Sequence, residues 1–221
     1  MVMELRVVCL SRTLAAGGED IGQLLAQRLG FRYVDEQIIA RAARLAQVDP
    51  KLVAATEHPR PLLQRVMDQL SAARALISPV TLATGVPFDT LALQTSDHHV
   101  NPEDLRILIR AAIREVAEAG RAVIVAHAAS ITLAGVTGVL RVLITASRET
   151  RARRLAAAQG TGVAEAVAAV AASDRERRDY LQRFYNVAHE QATHYDVVIN
   201  TDVLTREQAV EIALAATCSV P

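Results

Sequence analysis

One stretch constrains this chain more than any other: residues 7–30, VVCLSRTLAAGGEDIGQLLAQRLG. Val7, Val8, Cys9 and Leu10 form an apolar run too short for a helix and suited to a buried strand. A loop of small residues follows. Ile21, Leu24, Leu25 and Leu29 then recur at spacings of three and four, which predicts an amphipathic helix over 19–29. Gly30 stands where a helix C-terminal stop is expected. A strand, a glycine-bearing loop and a helix, in that order, bring backbone N–H groups together on an anion.

The loop departs from the full phosphate-binding pattern G-x-x-x-x-G-K-[ST]. In the window 12–20, RTLAAGGED, Gly17 is the second glycine, Gly18 stands in the lysine position and Arg12 in that of the first glycine. Nothing nearby replaces the lysine, because the chain has a single one, Lys51. Two glycines before a helix are also ordinary turn chemistry, so the loop alone decides nothing.

At 221 residues the chain is expected to form one domain with a sizeable core. Its 24 basic and 24 acidic residues balance, which argues against a general polyanion binder, and no nucleic-acid partner is expected. Cys9 and Cys218 lie far apart and give no disulfide framework. The first residues run directly into a strand, and no apolar run reaches the ~20 residues of a membrane span. A cytoplasmic protein with no membrane partner is therefore expected.

Further along, 31–34 is a second strand candidate, 36–45 a helix, Asp49-Pro50 a helix start and 62–77 another helix. Regularity fails over 78–101, a length typical of functional loops. Asn101-Pro102-Glu103-Asp104 opens a helix that stops at Gly120. Strands are expected at 122–126, 140–145 and 197–200, with a turn and short helix over 127–133 between the first two. Ser147 caps an arginine-rich helix over 148–159, Gly160-Thr161-Gly162 breaks it, and a second helical arm runs from Val163 to about Glu190. Thr205-Arg206-Glu207-Gln208 is a capping box opening a last helix to about Ala216. Five short strands alternating with helices predict an α/β fold: a parallel five-stranded sheet flanked by helices in three layers, with the first loop at its carboxyl edge.

The run S-R-x-x-x-x-G-G-x-x-I-G, Ser11 to Gly22, resembles the opening of the cytidylate kinase-like family, a bacterial branch of the P-loop nucleoside monophosphate kinases, which usually reads like S-R-E-Y-G-S-G-G-R-E-I. Asp174-Arg-x-Arg-x-x-Tyr180 with Tyr185 is similar to that family's D-[KR]-x-R-x-x-Y-x-x-x-Y run, and Tyr195-Asp-Val-Val-Ile-Asn200 with Leu204 to its closing strand Y-D-L-V-[IL]-N-[ST]. The resemblance covers nearly the whole chain and is weakest over 57–100. It implies a single domain over 1–217 with a helical nucleotide-binding insert at about 50–101, a lid arm at about 147–190, and a short tail over 218–221. It further implies phosphoryl transfer from ATP, with Mg²⁺, onto a nucleotide such as CMP or dCMP. In such a transfer, cations and oriented N–H groups offset the charge of the moving phosphoryl group.

On that resemblance Ser11, Arg12, Ala15, Ala16, Gly17, Gly18, Glu19, Asp20 and His127 are the candidate nucleotide-binding residues, and Arg12, Arg151, Arg175 and Arg178 the candidate catalytic ones. The family's glycine-glycine-arginine becomes Gly17-Gly18-Glu19, so a carboxylate stands where a guanidinium would. Glu19 and Asp20 are equally readable as first-turn acids that favour the helix dipole. Its glycine-arginine-glycine turn becomes Ala126-His127-Ala128, and His127 is either a phosphate donor or a turn residue. Arg151/Arg154 and Arg175/Arg178 are spaced three apart, so each pair shares a helix face. They could clamp phosphate or form a solvated face paired with Asp174, Glu176 and Asp179. Adjacent His98 and His99 make a poor metal site, and none is expected. The alternative to a kinase is a nucleotide-binding regulatory or scaffold protein that keeps the fold. If only the loop is impaired, Gly18→Lys with Glu19→Arg is expected to raise nucleotide affinity or turnover. The alanine-rich residues 163–172 could also serve as an interface in a homodimer.

Overall fold

The structure, a computed structural model, describes residues 5–35, 38, 41, 102–125 and 128–218, with side chains from Arg106 onward in the helix that starts at Pro102. The expected helix at 36–45 apart from Ile38 and Arg41, the expected helix at 62–77, the loop over 78–101 and His127 lie outside the described residues, as does Lys51.

Strands β1 (Val7–Arg12), β2 (Arg32–Val34), β3 (Ala122–Val125), β4 (Val139–Thr145) and β5 (Val197–Asn200) form one parallel sheet in the order β2-β3-β1-β4-β5. β1 lies at its centre, with Val7 paired to Ala122 on one side and Val139 on the other. The helices are α1 (Gly18–Leu29), α2 (Pro102–Ala119), α3 (Ala129–Thr132), α4 (Arg148–Gln159), α5 (Val163–Tyr185) and α6 (Arg206–Thr217). This is the α/β architecture expected from the alternation of strands and helices.

Side-chain alternation along the strands sorts the core into two layers. Val7, Cys9, Ala122 and Ile124 face α2, through Ile109, Ala112, Ile113 and Val116. Val8, Leu10, Val123, Val125, Val142 and Ile144 face α1 and α6, through Ile21, Leu25, Ala209, Val210 and Ala213. Both faces are covered, which is why the strands read as continuous apolar runs. Burial pushes the Cys9 thiol pKa up and leaves it a small core residue. A third cluster joins Ala152, Leu155 and Ala156 of α4 to Ala166 and Val170 of α5, with Leu14 and Ala15 of the β1–α1 loop packed against it.

Helix ends follow their local signals. Gly30 and Gly160 close α1 and α4 in the left-handed conformation. Ser147 Oγ accepts the Thr150 N–H at 3.2 Å, and Thr205 and Gln208 complete a reciprocal box at α6. One boundary differs from expectation. α5 ends at Tyr185 rather than near Glu190, because Asn186 turns left-handed (φ 55°) and its N–H bonds back to the Gln182 carbonyl at 3.2 Å. No single helix among the described residues is long and apolar enough to cross a membrane.

Candidate functional site at the phosphate loop

The β1–α1 loop hangs from the carboxyl end of the central strand, where parallel sheets bind ligands. Gly17 is the N-cap of α1 at φ 83°, and no side chain caps the helix. The first-turn N–H groups of a helix have no partner of their own, so this N-terminus offers amides to an anion. Gly22, the last glycine of the opening run, has another role. A Cβ there would lie 2.8 Å from Val125 Cγ2, so Gly22 sets how closely α1 packs on the sheet. Ala15 takes φ 59° at the residue where the family pattern has glycine.

Two cavities flank the loop. The first, about 540 Å³, is lined by Leu14, Ala15, Ala16, Gly17, Glu19 and Asp20 on one side. Arg154, Leu155 and Ala158 of α4, with Thr201, Leu204 and Arg206 from the β5–α6 connection, close the other. Its far wall is fastened to the loop. Arg154 donates to Thr201 Oγ1 (3.0 Å) and to the Thr201 carbonyl (2.6 Å), and Thr201 Oγ1 donates to the Ala16 carbonyl (2.9 Å). Asp202 accepts from both the N–H and the hydroxyl of Ser147 at 2.9 Å, and these bonds hold its pKa down at about 2.

The second cavity, about 300 Å³, is lined by Thr13, Arg148, Arg151, Asp174, Arg177, Arg178, Leu181, Val187, His189 and Glu190. Much of its charge is internally paired. Buried Arg151 holds both oxygens of Asp174 at 2.8 Å and donates to the Ala146 carbonyl at 3.1 Å. Burial works against the Asp174 carboxylate, but the Arg151 hydrogen bonds and charge win and keep its pKa low. Arg177 holds Glu190 in the same two-pronged way at 2.8 and 2.6 Å, and the Tyr195 hydroxyl also donates to Glu190. Glu190 is lowered by this pairing in spite of burial, while burial and the Glu190 charge push Tyr195 up to about 12. Arg178 is exposed at the cavity and has no ion pair among the described residues, while Arg148 reaches Asp174 only at 3.4 Å.

The candidate residues therefore separate. Ala15, Ala16, Gly17, Glu19 and Asp20 share the first cavity; Arg151 and Arg178 share the second; Gly18, exposed Arg175 and Arg12 line neither, and Arg12 reaches the first cavity only through its pair with Glu19. Ser11 is buried near the carboxyl end of β1, its hydroxyl 3.1 Å from that of Ser130. Arg12 pairs with Glu19 at 3.0 Å, and Asp20 with Arg206 at 3.7 Å, so the first-turn acids are partnered as well as dipole-stabilising. Thr201, Leu204 and Arg206 are absent from the sequence-derived candidates, whereas Arg154 is one of the arginines the spacing already marked as able to clamp phosphate. The signal for Thr201 was available, since it follows directly on the end of a parallel strand, and Leu204 stands three residues further on.

A family model matches residues 7–203, most of the chain, and its description is the cytidylate kinase-like family. The chain belongs to that family. Solved structures agree on the fold. This cytidylate kinase-like chain is similar to an uncharacterized protein from Eubacterium ventriosum, with TM-score 0.64 and 13% identity, covering 97% of this chain and 99% of that one. It is also similar to the shikimate kinase from Bacteroides thetaiotaomicron, with TM-score 0.50 and 15% identity, covering 96% and 97%. No curated protein matches the chain in sequence.

Residues of this cytidylate kinase-like loop fit a nucleotide triphosphate: an uncapped helix N-terminus, flanking arginines, and a cavity walled by Leu14, Leu155 and Leu204 for an apolar ring. Among the described residues no three metal-ligating side chains converge. Mg²⁺ commonly keeps its waters and takes one or two carboxylates besides substrate phosphates, and Glu19 and Asp20 are the carboxylates that line the cavity beside this loop.

Proposed function

We propose that the protein is a nucleoside monophosphate kinase, taking ATP in the larger cavity and CMP, dCMP or a similar acceptor in the smaller one. The observation that carries this reading is the division of space at the loop. Thr13 lines one cavity and its neighbour Leu14 the other, so the loop that leads into α1 runs between two ligand-sized hollows. When bound, ATP supplies the phosphoryl group and Mg²⁺ part of the neutralising charge.

The chain's own residues supply the rest. The first-turn amides of α1 take phosphate oxygens, while Arg154 and Arg206 line the wall across from them. At the second cavity Arg178 and Arg148 face an incoming monophosphate, and Arg151 and Arg177 fix the carboxylates around it. A catalytically impaired nucleotide-binding protein is the second reading, favoured by one observation: Arg12, Arg151 and Arg177 are each already engaged by a carboxylate.

A thermal melt with ATP, GTP, CMP, dCMP, AMP and UMP, with and without Mg²⁺, tests the proposal. A ligand at ~100 times its dissociation constant adds about 2.7 kcal/mol, a shift of several degrees at this size. The kinase reading requires shifts with one triphosphate and one monophosphate, and ADP release in a coupled assay. Shifts without turnover favour the impaired protein; no shift at millimolar ligand overturns both.

A further inference from the structure

Arg12 takes an unusual route. A Cβ built on Gly18 would lie 2.5 Å from Arg12 Cβ, 3.0 Å from Cδ and 3.3 Å from Cγ. The contacts involve the root of the side chain as well as its stem, so little can give way. The stem of Arg12 thus crosses the first residue of α1 and fills the space that a side chain at 18 would need. Its guanidinium arrives at the helix N-terminus, with Nη2 3.0 Å from Glu19 Oε1, and its Nε is buried with no hydrogen-bond partner.

We infer that Arg12 is the phosphate-facing cation of this loop, replacing from the strand side the lysine that the pattern places at position 18, and that Glu19 holds it in place until phosphate displaces the carboxylate. The inference rests on the nucleotide-binding reading above and assigns the charge of that same site. A surface ion pair would not need a glycine at 18, and with Glu19 half exposed it would contribute little. A phosphate oxygen in the cavity that Glu19 lines can, by contrast, take over the Nη donors that Glu19 now holds, and the planar fork has donors to spare. Gly18 is then the condition for Arg12's approach. A cation can come from position 12 or from position 18, but not from both.

The test is calorimetric titration of the full chain with ATP and with inorganic tripolyphosphate, adenosine serving as the uncharged control. Arg12→Ala is expected to weaken both phosphate ligands by about 10- to 100-fold, the scale of one charge-assisted contact, and to leave adenosine unchanged. Against the gain that the loop pattern alone leads one to expect from a lysine at 18, Gly18→Lys is expected to weaken them too and to melt lower, because the new stem meets Arg12. The double variant Arg12→Ala/Gly18→Lys removes that collision and is expected to recover to within about threefold of the unmodified protein. Glu19→Gln is expected to tighten both ligands severalfold. Should Arg12→Ala bind tripolyphosphate as the unmodified protein does, or the double variant bind no better than Arg12→Ala, the assignment is wrong while the nucleotide reading stands. If the unmodified protein binds neither phosphate ligand, both fall.

Discussion

Ala15 holds a left-handed backbone (φ 59°) that a side chain disfavours by ~1–2 kcal/mol. Part of this is offset where its methyl packs beside Leu14 against the α4–α5 cluster. Ala15→Gly is expected to stabilise the protein by about 1 kcal/mol, raising Tm by about 2–4 °C. A melt at or below the unmodified value would mean the methyl contact outweighs the backbone strain. At this scale the candidate site was only partly readable. Gly17 and the loop alanines show themselves by order along the chain. That Arg12 crosses Gly18, or that Arg151 is consumed by Asp174, depends on atoms brought together from separate elements, and no local spacing encodes it.

At the scale of elements, α4 and α5 are joined by an alanine-rich interface and the Arg151–Asp174 pair, and α5 is tied in turn to α2 by Arg106 donating to the Phe184 carbonyl at 2.7 Å. Asp174→Ala leaves Arg151 buried beside no carboxylate, and urea unfolding is expected to show a loss of about 3 kcal/mol. Arg148→Ala removes an exposed partner of the same carboxylate and should change stability by less than ~0.5 kcal/mol. Equal effects would mean the buried pair has no special weight. Elements were the most legible level. Strand β5 and helix α4 run as their apolar pattern and Ser147 cap indicate, since both signals are local. The end of α5 is less legible, because it is set by Asn186 in a left-handed cap, a conformation that asparagine tolerates but that its presence alone does not dictate. The far wall of the larger cavity was missed because Thr201 meets Ala16 from the opposite part of the sequence.

Across the whole molecule, carboxylates do much of the fastening: Asp174, Glu190, Asp196 and Asp202 all titrate below their ordinary values. A depressed folded-state pKa stabilises above the unfolded value and loses that effect as pH falls through the folded one. The Asp202 contribution is therefore complete above about pH 4 and disappears toward pH 2. The Tm difference between the protein and Asp202→Asn is expected to shrink over that window; a constant difference would show that the Ser147 bonds do not depend on charge. The sheet order has one more consequence, in time rather than space. β1 is made first, yet its neighbours, β3 and β4, begin at Ala122 and Val139. Pairings between such distant segments are slow, since a long loop must close before any contact rewards it. During synthesis the β1–α1 loop emerges before the strands that flank β1 and acquires its shape only after they have followed, so until then the apolar strand β1 needs protection from other chains.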